Sequence, residues 1–364
     1  MEPMSPDVLI RQAESLPALA RDATTGFDEA VRSAFEPGDL AGVNRVYLTG
    51  DGDSYHAAEA AALAFEEFAG ITCEPLSAQR FLDYGADFMP IYSPTSTLVV
   101  GISASGRTER GLQALERARE RGALTAAVTG KAGSPFTQTA HRSIIVDIED
   151  YGPSPGIRTY HANLAGLLLL AARLGEAKKR VSEAEAAALV AEIENLEGVM
   201  TATLEAGRAT ATELVDAWKD ADRIIFAGSG PSYGTAMFAA AKVVEASGVF
   251  AVGQDLEEWA HVERFAHPRD LPDMPLVVIA PPGRSRWRAA PLAELGCRLG
   301  RRVAVAAAAG DEEMSAHADF VFPVMGEVRE AFSPLVYHLV FNHFASYLTT
   351  ALGRMCFRTD RQRR

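Results

Sequence analysis

The sequence has 364 residues, of which 48% are hydrophobic and 23% are charged, and its formal net charge is −13. This length is enough for two ordinary domains, and the composition excludes a disordered or fibrous chain. The acidic balance argues against nucleic acid or an anionic membrane as the main partner.

The cysteines and the apolar runs bear on the compartment. Cys73, Cys297 and Cys356 are far apart and odd in number, which fits neither a disulfide framework nor a zinc site. The first residues lack the pattern of a signal peptide, and the longest apolar run, 164–172, is too short to span a membrane. We therefore expect a cytoplasmic protein that does not insert into membranes.

Strand-like and helical segments alternate along the first half of the chain. Residues 6–35 carry apolar side chains at helical spacing, which predicts one or two lead-in helices. Short apolar runs then predict strands at 43–50, 71–76, 97–102, 123–129 and 143–148, with helical segments between them. This alternation is typical of a parallel sheet with helices on both faces. Helices are also predicted over 160–174 and, without proline, over 182–219.

One loop interrupts this pattern in a distinctive way. The apolar strand 97–102 ends in Ser103-Ala104-Ser105-Gly106-Arg107-Thr108, after which apolar residues return at helical spacing. Such a turn presents backbone N–H groups, small hydroxyls and a helix N-terminus to one point in space. We expect it to hold a phosphate, although Ser103 and Ser105 are also ordinary turn and N-cap residues.

The second half of the chain repeats the first at an offset of 178 residues. Residues 45–70 recur as 223–248, with both glycines of the first turn and the following Ser-Tyr pair in order. We interpret this as a duplicated domain. The second copy replaces the serine-rich loop by Pro281-Pro282-Gly283-Arg284-Ser285-Arg286, in which two prolines remove N–H donors. The first copy is therefore the predicted anion site.

The predicted fold is α/β, with two tandem doubly wound, flavodoxin-like parallel-sheet domains that carry helices on both faces. The predicted limits are a helical lead-in at 1–36, the first domain at 37–178, a helical connector at 179–219, the second domain at 220–350 and a tail at 351–364.

These motifs resemble the SIS (sugar isomerase) family, and most closely the tandem-SIS isomerase half of the glucosamine-6-phosphate synthase family. Residues 103–108 resemble that family's Ser-Gln-Ser-Gly-Glu-Thr phosphate loop, and Gly52-Asp53-Ser54-Tyr55 resembles its Gly-Thr-Ser-Tyr turn. The resemblance implies a sugar-phosphate site formed by Gly52, Asp53, Ser54, Ser103, Ala104, Ser105, Gly106, Arg107 and Thr108.

The second domain carries the more specific resemblance. Lys242-Val243-Val244-Glu245 resembles the family's Lys-Leu-Lys-Glu, and Glu258-Trp259-Ala260-His261 resembles its Glu-Leu-Lys-His, 16 residues further on. The resemblance implies Lys242, Glu245 and His261 as catalytic residues. Glu245 would be the base for aldose–ketose proton transfer, and His261 would serve ring opening. In the family this histidine reaches the neighbouring subunit's site, which implies a homodimer.

The sequence also departs from the family pattern. It contains no counterpart of the synthase's glutaminase domain or of its C-terminal lysine, so we do not expect ammonia to be made from glutamine. Ala104 and Arg107 replace a glutamine and a glutamate, and Asp53 replaces a threonine. These changes leave open which sugar phosphate is bound, and whether an isomerase, a deaminase or a deglycase is present.

The chemistry itself is simple. One carboxylate placed over both carbons can move a proton between C1 and C2 through an enediol or enolamine, so we expect neither a metal nor another cofactor. Imidazole suits ring opening near neutral pH, and a held phosphate fixes the reacting carbons. Plainer interpretations exist: Glu245 as a surface partner of Lys242, and His261 as a structural histidine. His56 and His161 are further candidates for a polar pocket wall.

Two functions from different classes remain. The first is a phosphosugar isomerase or isomerising deaminase or deglycase. The second is a non-catalytic sensor that binds a phosphosugar, which explains the loop but leaves Glu245 and His261 without a task. Trp287, among three arginines, is either a second anion patch or a dimer contact.

Overall fold

The computed structural model describes residues 4–36, 38–267, 269–270 and 273–359. Up to Glu194 its elements are α1 Asp7–Glu14, α2 Leu16–Ala34, β1 Arg45–Gly50, α3 Asp53–Ala69, β2 Thr72–Ser77, α4 Ala78–Arg80, a π-helix Phe81–Gly85, α5 Ala86–Phe88, β3 Thr97–Ile102, α6 Glu109–Glu120, β4 Leu124–Thr129, α7 Pro135–Thr139, β5 Arg142–Ile145, α8 Arg158–Ala177 and α9 Glu183–Glu194.

The remaining elements repeat that alternation. They are α10 Leu196–Trp218, β6 Arg223–Gly228, α11 Pro231–Ser247, β7 Phe250–Asp255, α12 Leu256–His261, β8 Leu276–Ala280, α13 Arg286–Arg298, β9 Val303–Ala308, α14 Glu312–Ser315, β10 Phe320–Val324, α15 Pro334–Tyr337 and α16 Leu339–Ala351, with 3-10 turns at Glu263–Phe265, Glu330–Phe332 and Cys356–Arg358.

The chain divides into two compact units. The first unit comprises Ala18–Glu149 and Arg158–Asn195. The second unit comprises the residues up to Pro17, Asp150–Ile157 and the chain from Leu196 onward. The predicted helical connector is two helices, of which α9 belongs to the first unit and α10 to the second.

Each unit is built on one five-stranded parallel sheet. The strand order is β2-β1-β3-β4-β5 in the first unit and β7-β6-β8-β9-β10 in the second, with parallel pairing throughout. This is the flavodoxin-like order 2-1-3-4-5, so the predicted fold class is confirmed. The central strands are apolar runs because both faces are covered by helices, and every residue of β3 is buried.

The two copies share backbone detail as well as order. The helices that follow the first strand of each sheet begin after Gly52 (φ 56°, ψ −129°) and Gly230 (φ 55°, ψ −131°). Both helices end at a left-handed glycine, Gly70 and Gly248. Positive φ is costly for residues with a Cβ atom, so glycine is favoured at both ends of this helix in each copy.

Helix α1 completes the second unit by packing on α16. The Ser346 hydroxyl donates to the Pro6 carbonyl at 3.0 Å. The Glu14 carboxylate lies 2.7 Å from an Arg208 nitrogen and 3.5 Å from Nε2 of the buried His343. Helix α1 is therefore fixed to the distant helix α16 by apolar and polar contacts.

Smaller departures from the predicted elements concern strand and helix ends. The predicted strand 143–148 is the shorter β5, and the helical segment expected between the second and third strands is the brief α4 followed by a π-helix and α5. Within the described part of the chain, no helix is both long and apolar enough to cross a membrane.

Candidate active site

The serine-rich loop of the first unit connects β3 to α6. Ser103 is buried, and its hydroxyl accepts hydrogen bonds from the Gly106 amide at 3.1 Å and the Thr108 hydroxyl at 3.3 Å. Ser105, Arg107 and Thr108 are exposed. Among the described residues the amides of Ala104, Ser105 and Arg107 have no hydrogen-bond partner. The loop thus offers amide donors and hydroxyls next to a helix N-terminus, which suits an oxyanion.

The loop rests on the segment after β4. The Gly106 carbonyl accepts from the Phe136 amide at 3.1 Å. Gly106 has φ +62°, and a Cβ atom there would lie 2.2 Å from the Ser134 hydroxyl oxygen. Both the left-handed backbone and the close approach require glycine, so this position fixes the shape of the loop.

The turn after β1 lies beside this loop because β1 and β3 are neighbours in the sheet. A Cβ atom on Gly50 would lie 2.6 Å from the Ser54 Cβ atom and 2.9 Å from the Ile102 carbonyl oxygen. Gly52 is exposed, and Ser54 is buried at the start of α3. The structure therefore places the predicted contact Ser54 and the phosphate-type loop at one edge of the first sheet.

Asp53 is one of two acidic residues at this turn, and Asp51 is the other. The Oδ1 atom of Asp53 is 3.7 Å from Nδ1 of His56, and the Asp53 charge adds to burial in raising the pKa of Tyr160. His161 is buried in α8, where burial and then the Arg158 charge lower its pKa to about 3. His161 is therefore a neutral interior side chain rather than part of an exposed pocket wall.

The second unit holds a buried lysine beside a half-open carboxylate. The Lys242 side chain is 0% exposed, and its Nζ atom lies 2.5 Å from Oε2 of Glu245, which is 31% exposed. A buried ammonium group needs a counter-charge, and here the counter-charge also faces solvent. The residue pattern predicted both side chains, and their pairing at three-residue spacing on α11 is the contact expected from helical geometry.

Two neighbours of this pair were missed from the sequence. The Lys242 ammonium lies 4.9 Å from the centre of the Phe238 ring. Cys356 is buried, which raises the pKa of its thiol to about 11, and the Glu245 charge adds to that rise. The spacing of Phe238 and Lys242 was a signal for the first contact, whereas nothing in the sequence marked the second.

His261 occupies a different environment. Its side chain is 69% exposed, and its Nε2 atom is 3.1 Å from Oε1 of Glu257. Glu257 also receives two hydrogen bonds from Arg288, at 2.6 and 2.8 Å, which lower the pKa of the carboxyl. In the described structure no hydrogen bond or ion pair joins His261 to Glu245.

The proline-containing loop of the second unit holds a carboxylate of its own chain. Glu330 accepts from the Arg284 amide at 2.9 Å and from the Arg284 guanidinium at 2.5 Å. A Cβ atom on Gly283 would lie 2.5 Å from Oε1 of Glu330. Arg286 and Arg288 are paired with Asp311 and Glu257, so the arginines around Trp287 are each matched by an acid.

The predicted residues thus fall into two groups. Gly52, Ser54 and the loop 103–108 belong to the first unit, whereas Lys242, Glu245 and His261 belong to the second. Within the described ranges, no cluster of three or more His, Cys, Asp or Glu side chains is arranged to hold a metal ion.

The first unit is similar to the SIS domain family. The model of the SIS domain family matches residues 39–173, which include the loop, the turn after β1 and the whole first sheet. The resemblance expected from the motifs is therefore confirmed.

Curated relatives extend the similarity into the second unit. The chain is 29% identical over 334 residues to the isomerizing glutamine–fructose-6-phosphate aminotransferase of Methanothermobacter thermautotrophicus, a match that covers 90% of this chain and 52% of that protein. The chain spans about half the length of the curated relatives it matches.

Solved structures share the fold. The C-terminal domain of glucosamine-fructose-6-phosphate aminotransferase from Francisella tularensis matches with a TM-score of 0.79 at 15% identity, covering 95% of this chain and 96% of that chain. Glucosamine-6-phosphate deaminase from Thermotoga maritima matches with a TM-score of 0.74 at 15% identity, covering 96% of each chain.

Proposed function

We propose that this protein is a sugar-phosphate isomerase, or an isomerising deaminase or deglycase of amino-sugar phosphates, with Glu245 as its base. The observation that carries the proposal is the Lys242–Glu245 pair. A fully buried ammonium group fixes one oxygen of a carboxylate that stays partly open to solvent. A base needs this combination of a fixed position and access to the substrate.

The anchor for the substrate is the loop 103–108 of the first unit. Its open amides and the Ser105 hydroxyl suit the phosphate of a sugar phosphate, and the exposed Arg107 adds positive charge. Ser54, at the neighbouring turn, is the proposed contact to the sugar. Binding energy from the phosphate is then available to orient the reacting carbons.

The reaction proceeds by proton transfer on the open-chain sugar. Glu245 takes the proton from C2, and the electron pair of that C–H bond forms a C1=C2 double bond. The π pair of the C1=O bond moves onto O1 at the same time, and O1 takes up a proton from water, which gives an enediol or enolamine. The same carboxyl returns a proton to C1, and loss of a proton from the C2 substituent gives a ketone or an imine. An imine at C2 then releases ammonia by addition of water.

His261 is the proposed acid for ring opening. His261 is exposed, and in the described structure it forms no hydrogen bond or ion pair with Glu245. Both observations fit a role in the site of a second copy of the chain, as the family resemblance implies. We therefore include a homodimer in the proposal.

The deciding experiment pairs two substitutions at equivalent places in the repeat. Glu67 stands in α3 where Glu245 stands in α11, and Ala64 stands where Lys242 does. We expect Glu245→Gln to lower kcat about a thousandfold while sugar-phosphate affinity is kept, and Glu67→Gln to leave both near wild type.

The substrate panel consists of hexose 6-phosphates, amino-sugar phosphates and fructosamine phosphates, each scored for ketose and for ammonia. Turnover by Glu245→Gln at the wild-type rate would remove Glu245 from the mechanism. Stabilisation of the wild-type protein by a panel member without any product would identify a binding protein instead of an enzyme.

A further inference from the structure

Three side chains form a row along helix α11 in the second unit. Phe238, Lys242 and Glu245 are spaced four and three residues apart, so they lie on one face of the helix. Lys242 lies between the other two, with its ammonium 4.9 Å from the Phe238 ring centre and 2.5 Å from the Glu245 carboxylate. The ammonium is therefore contacted from both ends of the row.

The Phe238 ring is itself fixed. Phe238 is 0% exposed, and α11 packs against α15 and α16. The ring of His338 lies 5.2 Å away at an interplanar angle of 87°. His338 is held in turn by the Asn342 side-chain amide, which lies 3.1 Å from its Nδ1 atom. Phe238 thus packs on a buried polar pair, with His338 between α15 and α16 and Asn342 within α16.

The corresponding row in the first unit has neither the aromatic ring nor the lysine. At the same offset of 178 residues, α3 carries Ala60, Ala64 and Glu67 in place of Phe238, Lys242 and Glu245. The aromatic ring occurs in the helix that has the buried lysine. A ring face attracts an ammonium group most strongly where water is excluded, as it is around Lys242.

We infer that Phe238 is a positioning residue for the reaction: its ring holds the Lys242 ammonium, and through Lys242 it fixes the carboxylate of Glu245. This inference rests on the proposed function, in which Glu245 is the base. Phe238 and Glu245 each contact the Lys242 ammonium, so the effect of Phe238 on turnover is expected to pass through Lys242.

The test replaces Phe238 by Leu, which keeps apolar bulk but removes the ring face. Phe226→Leu is the matched control, because Phe226 is equally buried in the same unit and packs at right angles on Phe341. The substrates are glucose 6-phosphate and glucosamine 6-phosphate, each also prepared with deuterium at C2. Both variants are assayed well below their melting temperatures.

We expect Phe238→Leu to lower kcat about tenfold, the size of a desolvated cation–π contact. KM should stay within about twofold, because the phosphate loop is unchanged. The deuterium isotope effect on kcat should be at least as large as in wild type, since proton transfer is the slowed step. Phe238→Tyr keeps the ring and should retain most of kcat.

Equal losses of kcat in Phe238→Leu and Phe226→Leu would overturn the inference, as would a loss confined to KM. If Phe238→Leu does not fold, Phe238→Met takes its place, since methionine fills irregular space without a ring. Failure of the proposed function is recognised separately, because Glu245→Gln would then turn over normally whatever Phe238 does.

Discussion

The loops 103–108 and 281–286 follow the corresponding strands β3 and β8 of two sheets with the same strand order. They differ in the hydrogen bonds that their polar groups make. In the first loop the amides of Ala104, Ser105 and Arg107 are without a partner in the described structure. In the second loop Glu330 takes two hydrogen bonds from Arg284. One backbone plan thus leaves amide donors available in the first loop and pairs an arginine with a carboxylate of the same chain in the second.

The helices α3 and α11 also differ, and here it is the second copy that carries the distinctive residues. Helix α11 has the buried Lys242 beside Glu245, whereas α3 has Ala64 and Glu67 at those places. The first copy thus has the loop with available amides, and the second copy has the carboxylate held by a buried lysine. Duplication allows this because each copy needs its sheet for stability and only part of its loop and helix residues for chemistry.

The largest effect is expected for Gly106→Ala. The left-handed backbone and the 2.2 Å approach to the Ser134 oxygen should together cost about 3 kcal/mol, and the displaced loop should bind sugar phosphate at least a hundredfold more weakly. Calorimetric titration measures the affinity, and denaturant unfolding measures the stability.

Gly283→Ala is the matched change in the second loop. A Cβ atom at residue 283 would approach the Glu330 carboxylate. This loop is not the proposed anion site, so sugar-phosphate affinity should stay at the wild-type value. If both alanine variants weaken sugar-phosphate binding alike, the contrast between the two loops is wrong.

A smaller effect is expected for Glu330→Ala. Removing the carboxylate takes away its two hydrogen bonds with Arg284. Because the Arg284 side chain is 62% exposed, water compensates in part, and the free energy of unfolding should fall by about 1 kcal/mol. Inorganic phosphate at millimolar concentration should restore part of that loss by taking the place of the carboxylate. Thermal unfolding with and without phosphate measures both effects.

Glu313→Ala serves as the control for Glu330→Ala, because Glu313 is an exposed partner of Arg286. It should change stability little, and phosphate should affect it no more than wild type. A Glu330→Ala protein that is as stable as wild type would contradict the role assigned to this carboxylate.

The smallest effect concerns pH and the acid next to the second loop. Two hydrogen bonds from Arg286 lower the pKa of Asp311 below its ordinary value. The pair therefore stabilises the folded protein above about pH 4, the unfolded carboxyl's pKa, and this contribution is lost as pH falls through the folded pKa. In the first loop the position of Arg286 is taken by Thr108, which cannot form an ion pair with an acid.

Asp311→Asn should lower the free energy of unfolding by about 1 kcal/mol at pH 7. The difference from wild type should shrink toward pH 3, whereas Glu313→Gln should show almost no difference at either pH. A deficit in Asp311→Asn that is the same at both pH values would mean that the charge of Asp311 does not matter.

The fold was predictable because local signals were strong. Alternating apolar segments indicated the parallel sheets, and the repeated glycines and Ser-Tyr pair placed both copies in register. The resemblance to the SIS family implied that Ser54 and the loop 103–108 share one site, and the neighbouring strands β1 and β3 explain why they lie at one sheet edge. The pairing of Lys242 with Glu245 followed from helical spacing.

The remaining contacts depend on residues far apart in the chain. Glu330 reaches Arg284 across 46 positions, and Arg288 reaches Glu257 across 31. No local pattern predicts such pairs, since a charged residue in an acidic protein has many available partners. Phe238 was overlooked for another reason: in an alanine-rich helix an aromatic residue is ordinarily part of the apolar core.

The contact between α1 and α16 means that folding of the second unit is completed late. Ser346 and Pro6, which are hydrogen-bonded, are 340 positions apart. Helix α1 is synthesised long before α16, so its apolar residues Val8, Leu9 and Ala13 have no completed partner until α16 has been made. Long-range closure of this kind delays folding and leaves an apolar surface open to other nascent chains in the meantime.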